Sequence, residues 1–209
     1  MYKILLAVLL AVTFIGCEDE ATFSGPQPVD SEALTEIPKK LWGNYLSEDH
    51  ASTLSVNAQQ LIRTYDFDSK THKDSLGKEY ILSGTTLIDP NDHLKEAILI
   101  NGDTIIRHHH WIDTVFRLDN NHVAKAFKGY CFLNISVDDT TWITQKVALR
   151  KGMLTISHIA GGADLAQLQT LTDHTDDTLC RHFTLKKKTF KKFVRQHGFR
   201  NEERFMRMK

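Results

Sequence analysis

Three observations predict a mainly β fold: an antiparallel up-and-down barrel or two-layer sandwich of about 8–10 strands, with one amphipathic helix near the C-terminus. First, short runs rich in β-branched and aromatic residues fill residues 41–158, and turn formers interrupt them about every eight to twelve residues. Second, these runs alternate. Trp142, Thr144, Lys146 and Ala148 share one side of a strand; Ile143, Gln145, Val147 and Leu149 share the other. Third, Lys187–Gln196 has a helical period, with Phe190, Phe193 and Val194 on one side and cations elsewhere.

The elements follow in chain order. Pro38-Lys39-Lys40 leads into a first strand at Leu41–Leu46, then come "TLSVN" at 53–57 and "QLIRTYDF" at 60–67. Asp68-Ser69-Lys70 reads as a turn. "EYILS" and "TTLID" flank Gly84, and Asn101-Gly102-Asp103 separates "AILI" from "TIIRHHH" as a hairpin signal. Asp119-Asn120-Asn121 splits "DTVFRL" from "HVAKAF", and Asp138-Asp139 splits "YCFLNIS" from "TWITQKVAL". Arg150-Lys151-Gly152 precedes "MLTISHI". Ala163–Leu171 spaces three leucines as a short surface helix would. The cationic helix follows, with Gly198 placed as its cap, and "RFMRM" closes the chain as a strand.

The N-terminus carries a different kind of signal. Met1-Tyr2-Lys3 precedes an apolar run from Ile4 to Ile15, shorter than the about 20 residues a spanning helix needs. A positive residue, a short apolar core and a small residue form the pattern of a secretory signal peptide, here residues 1–16. Phe14-Ile15-Gly16-Cys17 resembles a bacterial lipobox, with Phe14 standing where Leu is usual. The resemblance implies cleavage before Cys17 and acylation of that cysteine, palmitate being the usual kind of chain. It also implies an outer-membrane lipoprotein held by three acyl chains, enough for permanent attachment. Glu18-Asp19-Glu20 resembles the surface-export signal of Bacteroidetes lipoproteins, which favours the cell surface over the periplasmic face. "PKKLWGNYLS", "FKGYCFLN" and the closing helix–strand pair also look like lipoproteins of that group, a family with no activity to carry over. The expected organisation is a lipidated cysteine and flexible tether over 17–37, then a single β-rich domain over 38–209.

Charge is balanced overall but divided along the chain. From Arg181 to Lys209 eleven Lys and Arg stand against Glu202 and Glu203, a net of +9; residues 18–180 carry a net of −10. With Cys17 acylated, Cys131 and Cys180 remain, an even number in an oxidising compartment. They form either one disulfide or two separate buried thiols.

Candidate chemistry is sparse. His108 and His110 share a strand face and supply two metal ligands, one short of a catalytic zinc site. His174, Asp176, Asp177, Cys180 and His182 are metal-competent types in a spacing that matches no zinc or calcium motif. No G-x-S-x-G, H-E-x-x-H or phosphate-loop sequence occurs. Lys187, Lys188, Lys191, Lys192 and Arg195 form a cationic helix face suited to an anionic surface. No cofactor and no nucleic-acid partner is expected. The sequence therefore reads as a non-catalytic binding protein or accessory of an envelope assembly, its partners the membrane and an envelope protein or small apolar ligand. A lipocalin-like carrier of an apolar ligand is one alternative. A metal-dependent enzyme built on His108 and His110 is the other.

Overall fold

The structure, a computed structural model, describes residues 20–91, 93–159, 161–172 and 181–209. Among the described residues the chain is mainly β, with a large antiparallel sheet, a smaller sheet and two helices, as the alternation and turn spacing predict. Its strands begin with β1 (Thr22–Phe23), β2 (Gly43–Ser47), β3 (Ser52–Val56), β4 (Gln60–His72) and β5 (Ile81–Ser83). Next come β6 (Thr86–Ile88), β7 (Lys95–Ala97), β8 (Leu99–Asn101), β9 (Thr104–Arg117) and β10 (His122–Phe127). Then follow β11 (Tyr130–Ser136), β12 (Trp142–Arg150), β13 (Met153–His158), α1 (Gly162–Thr172), β14 (His182–Phe183), α2 (Lys187–Arg195) and β15 (Asn201–Arg207). Strands that the sequence runs did not mark are the short pieces β1, β7 and β14, which are too brief to show alternation.

The sequence reading drew one domain over 38–209; in the structure the chain divides into two compact units. The first comprises the described residues up to Glu36 with Leu118–Ala148 and Thr155–Glu203. Here β10, β11 and β12 pair in order. The β10–β11 hairpin turns at Lys128-Gly129, both at positive φ (53° and 85°), which matches the right-handed twist of the flanking strands. Phe23, Phe132, Phe183, Phe190, Phe193 and Phe199 lead a continuous apolar core. Phe132 meets Phe190 edge-on at 5.0 Å, and Phe193 meets Phe199 at 5.4 Å. Helix α1 is more than a surface helix, because Leu165 and Leu168 are buried in this core. Its Asp164 is also fully buried, accepting from the Arg200 backbone N at 2.9 Å and pairing with the Arg200 guanidinium.

Helix α2 ends in a motif where Gly198 N donates to Phe193 O at 3.1 Å, and His197, not Gly198, takes the left-handed conformation (φ 60°). Gly198 serves packing instead. A Cβ there would lie 2.4 Å from the Phe193 ring.

Residues 20–37, read from the sequence as part of a flexible tether, are packed. Phe23 is buried, and β1 pairs in parallel with β14 and antiparallel with β12. Gln27 N donates to Asn134 Oδ1 at 2.6 Å, and Asn134 Nδ2 returns a bond to Gln27 O at 2.9 Å. Lys125 Nζ donates to the carbonyls of Pro26 (2.9 Å) and Pro28 (3.1 Å). Proline carbonyls in an otherwise turn-like stretch thus find a buried donor, which composition alone does not reveal.

The second unit comprises Ile37–Arg117, Leu149–Leu154 and Arg204–Lys209. Its sheet runs β15-β2-β3-β4-β9-β8. Strands β4 and β9 form a long ribbon paired from Gln60↔Arg117 to His72↔Thr104, with one register shift beside Leu61/Ile62. The turn expected at Asp68-Ser69-Lys70 does not form, and "TIIRHHH" and "DTVFRL" belong to one strand. The reason is local: 68–70 holds no Gly or Pro, and an extended ribbon wetted on its faces tolerates polar residues. The hairpin at Asn101-Gly102-Asp103 does form. At the base of the ribbon β5, β6 and β7 make the smaller sheet over Leu87, Ile98 and Ile105. There Arg107 grips the Glu96 carboxylate through Nε (3.0 Å) and Nη2 (2.6 Å), under the Tyr80 ring.

Candidate functional site

Strand pleating divides the β4–β9 ribbon into two chemically distinct faces. On one, register places Asp66 opposite His110 and Asp68 opposite His108. His108 Nδ1 lies 3.1 Å from Asp68 Oδ1, and its Nε2 lies 3.7 Å from Asp66 Oδ1. His110 Nδ1 lies 3.6 Å from Asp66 Oδ2. So His108 and His110 share a face, as the period of two requires, and two aspartates join them. All four side chains are more than half exposed. Among the described residues no group of three or more His, Cys, Asp or Glu is placed to hold a metal ion. In this arrangement the quartet forms solvent-exposed His–Asp contacts, which contribute little to stability.

The opposite face is aromatic. Tyr65 stacks on Trp111 at 4.3 Å, Phe67 meets Trp111 edge-on at 5.8 Å, and Phe67 stacks on His109 at 5.0 Å. Ser69 Oγ lies 2.7 Å from His109 Nε2, and the Arg63 guanidinium covers Tyr65 at 4.6 Å. Sequence reasoning missed Asp66, Asp68 and this ladder. The signal was present, since D-x-D and H-x-H each alternate, but their pairing follows only once 60–72 is one strand.

In the first unit, the cations predicted on α2 separate into two groups. Lys187 turns back on its own unit, donating from Nζ to Asp30 O at 2.7 Å beside the Phe127 ring. Lys188, Lys191, Lys192 and Arg195 line an open concavity of about 670 Å³ with Leu171 and Gln196. None of these four cations is ion-paired among the described residues. Phe190 and Phe193, the apolar side of the same helix, are fully buried.

Cys131 is buried on β11. Cys17 and Cys180, and with them the proposed lipid site and one end of the proposed disulfide, lie outside the described residues; so do His174, Asp176 and Asp177. His182 is exposed on β14, its Nδ1 3.1 Å from Thr22 Oγ1. In the second unit, Leu46, Met153, Phe205, Met206 and Met208 line an apolar groove of about 390 Å³. No described helix is long and apolar enough to cross a membrane. No protein family, curated protein or solved structure matches this chain.

Proposed function

We propose that this chain is a lipoprotein held at the outer membrane by acylated Cys17, displayed on the cell surface, and that it works by non-catalytic binding. The observation that carries the reading is the spacing between a lipobox-like cysteine and the fold. Ala21 is already buried, its N donating to Ile159 O, four residues after Cys17. Four residues reach at most about 14 Å, so acylation of Cys17 holds the first unit against the bilayer. The three acids at 18–20 support surface display. Binding is favoured over catalysis because the prominent features are open surfaces: four outward cations and a half-buried aromatic ladder with Trp111 exposed.

The test compares the full chain with its Cys17→Ala variant in the host. Palmitate-analogue labelling and recovery in the outer-membrane fraction are expected to be lost in the variant, and protease added to intact cells is expected to digest the wild type. Equal labelling and equal membrane recovery of both would refute the reading. A second reading, a carrier of a small apolar ligand, draws on the groove beside Met206 and Met208. It requires a stoichiometric apolar molecule in native mass spectra of the protein from its host.

A further inference from the structure

The four outward cations of α2 are a poor choice if the helix only has to fold. Lys188 and Lys191, Lys188 and Lys192, Lys191 and Arg195, and Lys192 and Arg195 stand three or four residues apart, the separation at which like charges on a helix repel. The helix has no acid in its first turn and no side-chain cap at Lys186, so Lys187 and Lys188 oppose its dipole, while Lys192 and Arg195 in the last turn suit it. The apolar side offers no external role, since Phe190 and Phe193 are enclosed by their own core. A nine-residue helix is thus built to present cations around one concavity at the expense of its own stability. Such a breach of local rules marks a place where something other than folding sets the sequence.

The chain path indicates what the cations meet. β1, the first strand after Cys17, pairs in parallel with β14, and β14 leads through three residues into α2. A second bond, from Lys187 Nζ to Asp30 O, ties the start of α2 to the same N-terminal segment. The helix and the anchor-bearing strand are therefore contiguous parts of one unit.

We propose that the outward face of α2 rests on the phosphate groups of anionic lipid headgroups in the membrane that carries the anchor. This rests on the lipoprotein reading above. The contact is electrostatic, without insertion, because no large apolar side chain of α2 remains outside the core. Each basic residue near an anionic surface strengthens attachment by about fivefold, and salt weakens it.

The test uses the acylated full chain from its host, added to preformed vesicles of phosphatidylcholine alone or mixed with phosphatidylglycerol. Flotation first reports whether the chain is anchored. Acetylation of Lys188, Lys191 and Lys192 is then followed residue by residue, with exposed Lys78 as reference. The expected result is flotation with both vesicles. Acetylation of the three helix lysines slows by about fivefold or more only with phosphatidylglycerol, and high salt or Lys192→Glu restores the rate. Flotation with equal rates in both vesicles overturns the docking and leaves the anchor standing. Slow acetylation in both also overturns it, because protein then covers the face. A chain that floats with neither refutes anchorage and docking together.

Discussion

Asn134→Ala is the sharpest perturbation of the packed N-terminal segment. Asn134 is fully buried, and its Oδ1 accepts from Gln27 N at 2.6 Å and from Thr144 Oγ1 at 2.8 Å. Its Nδ2 donates to Gln27 O at 2.9 Å and to Val123 O at 3.0 Å. Alanine leaves the Gln27 N–H and C=O without this partner in a residue only 1% exposed. Each stranded buried group costs about 1–3 kcal/mol, so the variant should lose about 3–5 kcal/mol. That is a large share of a domain's total stability. Urea unfolding measures the loss, and amide exchange over residues 20–36 shows where it falls. Thr144→Val removes one donor and should lose about 1 kcal/mol. The reasoning fails if Asn134→Ala loses less than about 1 kcal/mol and exchange over 20–36 is unchanged.

Two further outcomes follow from charged groups. Arg107→Lys replaces a two-pronged grip on Glu96 with a point charge, and should cost about 1 kcal/mol, read as faster amide exchange in β5–β7. Burial holds the Lys125 ammonium below the ordinary lysine value of 10.5. In the window between the lowered folded value and 10.5, the unfolded chain binds more protons than the folded one. Stability from this residue therefore rises with pH across that window. Urea titrations should show wild type gaining on Lys125→Met as pH climbs toward 10.5, and a constant difference would contradict it.

Features set by local chemistry were legible in the sequence. The Asn101-Gly102 hairpin, the face shared by His108 and His110, and the buried side of α2 at Phe190 and Phe193 all follow from turn preference or period. Features set by distant partners were not. Residues 20–37 look like a linker because Gly25, Pro26 and Pro28 break local order, yet Asn134 and Lys125, about a hundred residues later, hold them in place. The same holds for Asp66 and Asp68. Nothing near them in sequence shows that a strand forty residues on carries the histidines they face. On α2 the sequence offered five equivalent cations, and only the structure separates Lys187, which bonds Asp30, from the four that face outward.

The most direct measurement of the anchored-lipoprotein reading is the mass of the N-terminal peptide from protein isolated from the host envelope. The account predicts a peptide whose first residue is Cys17, carrying a diacylglyceryl group on sulfur and a third acyl chain on nitrogen. A peptide in which Ile15-Gly16-Cys17 is intact and the thiol unmodified would contradict it.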